Sequence, residues 1–192
     1  MPFDGSALMY HGFIDANDAA EAFGRLIVET SWEQRDIVLF GKLHREPRLS
    51  AWHSEPHISY TYSGVLRTPQ PWTPLLLELR NKCAATSGAT FNSVLANLYR
   101  DGNDGVGWHA DNEASNGREP TIASLSFGAS RRFDLRHRDS KKTIRVQLDP
   151  GSLLIMSGLS QQCWVHQLPR TKRVTDPRIN LTFRRVVGIE VG

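Results

Sequence analysis

After Gly88 the hydrophobic pattern of the chain changes its period from that of a helix to two, and nothing else in the sequence constrains the fold as much. Six short runs, SVLANLY, TIASLSF, RFDLR, TIRVQL, SLLIM and INLTFR, alternate apolar with polar residues and are split by Gly, Pro, Asn and Asp. Side chains two apart on a strand share a face, so each run needs a neighbouring strand and a partner layer to bury its apolar side. Upstream the pattern is helical. In TPLLLELRNKCAATSG, Thr73 is placed to cap, Pro74 fits the first helical position, Leu75, Leu76, Leu79 and Cys83 form one stripe, and Gly88 provides the stop. Asp18 with Glu21 reads as the acidic start of an earlier helix whose Phe23, Leu26 and Ile27 lie at core spacing. Helices followed by a run of strands predict an α+β chain whose C-terminal half closes into a double-stranded β-helix, or jelly roll, with the N-terminal helices packed outside.

The 192 residues suit one domain over 1–192, with no repeats or low-complexity linkers to divide it. Residues 1–38 read as an N-terminal extension and about 90–187 as the jelly-roll core. Cys83 and Cys163 lack any CxxC spacing and are expected to be free thiols in a reducing compartment. No run approaches the ~20 apolar residues of a membrane span, and the first residues lack a basic end followed by an apolar core. The expectation is a soluble monomer, cytoplasmic and nucleoid-associated if bacterial or nuclear if eukaryotic. The net charge of +3 is uneven: residues 1–30 hold one Arg against five acids, whereas 131–145 hold seven bases against two acids. That basic stretch is either a solvated strand face or a surface that follows a polyanion.

In VGWHADNE, His109 and Asp111 flank one residue, so an imidazole and a carboxylate can converge on one cation. The H-x-D spacing is common by itself. His166, in CWVHQLP, lies 55 residues beyond Asp111, far enough for the chain to return beside the pair. Two His and one carboxylate form the facial triad of non-haem Fe(II) oxygenases, which leaves metal positions open for co-substrate and O2. Such an iron needs two further electrons, which a bidentate 2-oxo acid supplies by oxidative decarboxylation. A second carboxylate on that acid needs a fixed cation, and Arg178, twelve residues after His166, is a bidentate donor. Arg178, Asn180, Thr182 and Arg184 share one strand face, as do Asn97 and Tyr99. Such a face is either solvated or lines a polar pocket. Trp108, beside His109, is expected to face away from the metal into a hydrophobic layer, and His11, His53 and His57 are read as packing residues.

From about Leu39 to Arg185 the chain resembles the AlkB-like Fe(II)/2-oxoglutarate dioxygenases that repair alkylated nucleic acid bases, nearest to their duplex-acting branch. The resemblance rests on FGKLHREPR, YTYSG, FNSVLANLYRDGNDGVGWHADNE, IASLSFGASRRFDLRHR, GSLLIMSG, the VHQLP histidine and RINLTFR. It implies iron on His109, Asp111 and His166, and 2-oxoglutarate against Asn97, Tyr99, Arg178, Asn180, Thr182 and Arg184. It also implies oxidative demethylation of bases such as 1-methyladenine and 3-methylcytosine in DNA. The products are formaldehyde, succinate and CO2, with O2 consumed and ascorbate serving as in vitro reductant. The same chemistry on RNA or a protein side chain, and a non-catalytic damage-binding module, are the alternatives.

The resemblance places about residues 39–70 over the extruded base as a nucleotide-recognition segment. Tyr60, Tyr62 and Ser63 then become candidates for the base pocket, with Glu113 to accept from an exocyclic amine or favour a cationic ring. A damaged base must leave the duplex stack before a metal can reach it. Phe40 corresponds to the wedge residue that fills the gap, or is a core residue at a strand end. Lys42, Arg45, Arg48, Arg131, Arg132, Arg136 and Arg138 are the expected contacts to the nucleic-acid backbone, which position without reading sequence.

Overall fold

The computed structural model describes residues 1–39, 42–56, 58, 60–62, 65–67 and 69–187, with backbone alone at 37–39, 42, 60–62 and 65–67. Two antiparallel sheets face each other. The larger is built from β1 (Ser6–Tyr10), β4 (Leu49–Ser54), β7 (Ser93–Tyr99), β9 (Ile122–Gly128), β12 (Leu153–Ser157) and β14 (Arg178–Arg184), in the order β1-β12-β9-β14-β7-β4. The smaller is built from β8 (Val106–His109), β10 (Arg131–His137), β11 (Thr143–Leu148) and β13 (Trp164–Leu168), in the order β11-β10-β13-β8. Two ribbons, β2 (Asp36–Leu39) with β3 (Lys42–Arg45) and β5 (Tyr60–Tyr62) with β6 (Val65–Arg67), stand between the first helix and the second. All six alternating runs that follow Gly88 are strands. The facing sheets agree with the expected jelly-roll core.

The helices are α1 (Ala16–Glu29), α2 (Pro74–Ser87) and the single turn α3 (Ser160–Cys163). In α2 the Thr73 hydroxyl accepts from the Leu76 N–H, Pro74 begins the helix, and Gly88 ends it at a positive φ of 68°. The cap of α1 lies earlier than the sequence reading: Asp15 accepts from the Asn17 and Asp18 N–H groups, each at 3.0 Å, so Asp18 sits inside the first turn. Both helices cover the outer face of the larger sheet. There Leu26, Leu76, Leu79 and Cys83 pack with Val94, Ala96, Leu125, Phe127, Leu181 and Phe183. Burial pushes the Cys83 thiol up to about 12, so it is an inert part of that layer. Gly128 permits close approach, since a Cβ there would stand 2.4 Å from the Pro177 carbonyl and 2.7 Å from the Phe23 ring.

A second apolar layer fills one end of the space between the sheets, with Tyr99, Ile122, Leu154 and Met156 meeting Phe133, Leu135, Leu148, Trp164 and Leu168. The other end is not filled. The odd-numbered β14 residues Ile179, Leu181 and Phe183 point to the helices, so the even-numbered Arg178, Asn180, Thr182 and Arg184 point between the sheets. Opposite them, in register, stand Tyr99, Asn97, Leu95 and Ser93 of β7. The unfilled end is therefore polar on one wall, and it is the position of the site.

Candidate metal and co-substrate site

One cavity of about 370 Å³ lies between the sheets and is lined by His109, Asp111, Glu113 and His166 at one end and by Asn97, Tyr99, Arg178, Asn180, Thr182 and Arg184 along its wall. His109 ends β8, and β13 brings His166 directly across from it in antiparallel register. Asp111 follows two residues after His109. Its backbone N–H donates to Gln161 Oε1 at 2.9 Å, which ties the loop after β8 to α3. One donor atom from each of the three residues lies within 4.8 Å of the others.

The protonation of the three groups suits a cation. His109 Nδ1 lies 2.8 Å from the Gly107 carbonyl, which can only accept, so the ring proton is on Nδ1 and Nε2 presents its lone pair. Burial lowers the pKa of His166 to about 3, with help from neighbouring His109 and Arg184 and against the pull of Asp111, so this ring is neutral at ordinary pH. Burial would raise the Asp111 pKa, but the positive charge of Arg184 and its hydrogen bond, with the adjacent imidazoles, outweigh it and hold the carboxyl below its usual range. Arg184 Nη2 donates to Asp111 Oδ1 at 2.6 Å, while Asp111 Oδ2 faces His166 Nε2 at 3.9 Å. One oxygen is engaged by the guanidinium and the other is turned to the imidazoles.

A second grouping, Asp4, His137 and Cys163, also brings donor atoms within 4.8 Å. Its hydrogen bonding is opposite in sense. The Ser140 N–H donates to His137 Nδ1 at 3.1 Å, which occupies that lone pair, and Nε2 lies 3.2 Å from Asp4 Oδ2. The close approach of His137 and Asp4 pins the N-terminal segment.

The shifted His166 pKa has a consequence for the ion-free protein. In the unfolded chain this imidazole takes a proton near pH 6.5, whereas in the fold it refuses one until about pH 3. On acidification the unfolded chain gains that proton first, so folding stability falls from pH 6.5 downward. Melting temperatures of metal-free protein between pH 7 and 4 should decline, and the decline should be shallower in His166→Asn. Identical slopes for the two proteins would contradict the assignment.

Arg178 provides the test for a dianionic co-substrate. Its side chain is 2% exposed, and among the described residues no carboxylate pairs with it. Nη2 donates to Ser126 Oγ at 2.9 Å, the guanidinium lies 5.4 Å from the centre of the Tyr99 ring, and Nε is buried without a partner. Burial and the nearby Arg131 lower its pKa to about 10 against the influence of Tyr99, which still leaves it charged near neutrality. A buried, charged fork with an unused donor calls for an anion. Asn180 and Thr182 are ordered beside it: Asn180 Nδ2 donates to Ser124 Oγ at 2.8 Å, and the Thr182 hydroxyl donates to Asn180 Oδ1 at 2.9 Å. Because Arg184 is held at the Asp111 end, the two arginines mark opposite ends of a slot. The donor set fits a metal at one end and the distal carboxylate of 2-oxoglutarate at the other.

The expected nucleic-acid contacts divide. Arg131 is corrected: it is 2% exposed and donates to the carbonyls of Asp101, Asp104 and Pro169 at 2.9–3.0 Å, so it braces loops inside the fold. Its phase with Phe133 and Leu135 in RRFDLR was the available signal. Arg48 is corrected too, because its Nε donates to Asn97 Oδ1 at 2.7 Å and its Nη2 reaches Glu46 at 3.4 Å, which makes it part of the cavity wall. Arg132 and Arg138 are exposed, with Arg132 paired to Asp134 at 3.1 Å. Arg136 lies on the outer face of the smaller sheet, its guanidinium 4.1 Å from the centre of the Trp108 ring. Trp108 thus stacks with a cation where a hydrophobic layer was expected. Arg45 is exposed and 3.9 Å from Asp36. Phe40, Ser63 and His57 lie outside the described residues, as do the side chains of Lys42, Tyr60 and Tyr62. Ser124, Ser126, Gln161 and Asn116 are site residues that the sequence reading did not include.

Comparison with known proteins agrees with this geometry. Residues 6–184 match the family model described as the 2OG-Fe(II) oxygenase superfamily. Alpha-ketoglutarate-dependent dioxygenase alkB homolog 3 of Bos taurus is 42% identical over 185 residues, which is 91% of this chain and 64% of that protein. DNA oxidative demethylase ALKBH2 of Mus musculus is 43% identical over 159 residues, 79% of this chain and 66% of that protein. The chain thus spans just under two thirds of the length of these relatives. The solved structure of OsALKBH1 superposes with a TM-score of 0.68 over 96% of this chain and 100% of the other at 16% identity, a likeness of fold. A His-Asp-His cluster with converging donor atoms opposite a buried, anion-seeking arginine, on this pair of sheets and with this family match, makes the chain a member of the 2OG-Fe(II) oxygenase superfamily.

Proposed function

We propose that the protein is an Fe(II)- and 2-oxoglutarate-dependent dioxygenase that oxidatively demethylates N-alkylated bases such as 1-methyladenine and 3-methylcytosine in DNA. The products would be formaldehyde, succinate and CO2. The observation that carries the oxidant chemistry is the single cavity holding His109, Asp111 and His166 at one end and the uncompensated Arg178 at the other. The substrate class is supported by the likeness to proteins named DNA oxidative demethylase.

Bound iron and 2-oxoglutarate would together supply two-electron oxidation of an N-methyl carbon by O2, after which the hydroxymethyl product loses formaldehyde. The chain's own residues do the positioning. Gly107 holds His109 in the ligating tautomer, Gln161 and Arg184 hold Asp111, and Phe133, with its ring 5.3 Å from that of His166, walls one side with apolar surface. Arg178 fixes the far carboxylate, so the 2-oxo end is delivered to the triad. Glu113 lines the cavity just past Asp111, where a carboxylate favours a cationic base.

The outer face of the smaller sheet provides a surface for the backbone of the substrate strand. Asp134 is paired with Arg132 and accepts from the Gln167 amide, whereas Arg136 and Arg138 pair with no carboxylate among the described residues. Arg136→Ala with Arg138→Ala should reduce the slope of log affinity against log salt for a methylated single-stranded oligonucleotide by about 1–2. An unchanged slope would remove these arginines from the interface.

The reading itself is tested with iron, ascorbate, 2-oxoglutarate and a panel of methylated single-stranded DNA, duplex DNA, RNA and peptides. Formaldehyde release stoichiometric with succinate from the methylated DNA is the expected result. Release from peptides alone, or succinate formation indifferent to every methylated substrate, would overturn it.

A further inference from the structure

Asn116 ends the short 3-10 turn Ala114–Asn116 that follows Asp111, and it is 5% exposed. Its Nδ2 donates to Glu113 Oε2 at 2.8 Å and to the Asp111 backbone carbonyl at 3.3 Å. Both partners only accept, so the amide has one orientation, which leaves Oδ1 buried with no partner among the described residues. A buried carbonyl oxygen without a donor is destabilising, because it gives up its bond to water and gains none in return. An apolar side chain of similar size would avoid that cost but would take the amide's donor from the Asp111 carbonyl and the Glu113 carboxylate. Asn116 also lies on the wall between the main cavity and a second one that is rimmed by Gly117, Arg118 and Arg185.

From this clamp we infer that Asn116 is a positioning residue that sets the protein's preference for bases carrying an exocyclic amine. The inference rests on the base-oxidising reading of the site. Asn116 acts through Glu113. A glutamate has three side-chain torsions, and a short hydrogen bond from a buried, rigid amide holds its Oε2 against the wall beside the metal ligands. A carboxylate fixed there accepts from the N6 amine of 1-methyladenine or the N4 amine of 3-methylcytosine and lies near their positive rings. The corresponding atoms of 1-methylguanine and 3-methylthymine are carbonyl oxygens on neutral rings, which a carboxylate repels. Discrimination of this kind, by a buried polar group left unpaired with the wrong ligand, is larger than shape alone provides.

The experiment compares wild type with Asn116→Leu and Asn116→Asp on four single-stranded oligonucleotides that differ only in carrying 1-methyladenine, 3-methylcytosine, 1-methylguanine or 3-methylthymine. We expect the ratio of kcat/KM for the amine-bearing pair to that for the carbonyl-bearing pair to fall at least tenfold in both variants, chiefly through KM. The melting temperature of Asn116→Leu should stay close to that of wild type, because the orphaned Oδ1 and the donor to the Asp111 carbonyl are removed together. Asn116→Asp keeps the volume and removes the donor, so it tests the hydrogen bond even if the leucine variant folds poorly. Equal losses on all four lesions, or a lowered melting temperature with an unchanged ratio, would show a structural residue and overturn the inference. A wild type that turns over none of the four would instead strike the functional reading beneath it.

Discussion

Arg178→Ala should weaken 2-oxoglutarate binding by about two orders of magnitude or more, the consequence of leaving one member of a buried, hydrogen-bonded charge pair without the other, about 3–5 kcal/mol. Isothermal titration of the metal-loaded protein reads this directly. The free protein should respond differently. Arg178 is buried with its Nε unpaired and no carboxylate beside it among the described residues, so its removal relieves a desolvated charge even as it opens space. The melting temperature without ligand should therefore hold nearly constant, whereas the rise produced by 2-oxoglutarate in wild type should vanish. Arg178→Lys keeps the charge but not the planar fork, and it should fall between the two. An unchanged affinity in the alanine variant would mean that the co-substrate is anchored elsewhere.

The second large effect concerns the triad. His109→Ala and Asp111→Ala should each abolish iron-dependent succinate formation, by at least three orders of magnitude, with loss of bound iron at micromolar concentrations. The partners that orient metal ligands are themselves worth about 10–100-fold in metal affinity, so losing a ligand costs more. Gln161 provides the calibration. Its Oε1 accepts from the Asp111 N–H, and it touches neither imidazole by hydrogen bond among the described residues. Gln161→Ala should lose metal affinity within that 10–100-fold range and keep measurable turnover. Persistent turnover in either ligand variant would refute the site.

Much of this arrangement is legible in the sequence because strand period and residue chemistry coincide. Alternation in RINLTFR separates Ile179, Leu181 and Phe183 from the polar residues between them, and the structure gives each set its own side of β14. The caps of α2 are equally readable, since Thr73, Pro74 and Gly88 each act through local backbone chemistry. What period does not reveal is which face points in. Arg131 and Arg132 are adjacent and both basic, yet one braces three carbonyls inside the fold and the other meets solvent. Arg48 follows a proline outside any alternating run, so no phase assigns it to the cavity. The partners Ser124, Ser126, Gln161 and Asn116 gain their roles from register and loop geometry: Asn180 finds Ser124 across 56 residues, and Asp111 finds Gln161 across 50. Pairings of that range are made by topology and leave no local mark.

The two-sided character of β14 restricts how this chain can change over time. Its seven residues, Arg178–Arg184, serve a greasy packing layer and an ionic slot on alternate positions, with β7 on one flank and β9 on the other. Inserting or deleting one codon within it would turn the strand over, pushing guanidinium groups into hydrocarbon and emptying the slot of every anchor together. Point substitutions can be sampled one at a time on either side, but length cannot. In this segment descendants can differ in spelling and must agree in count.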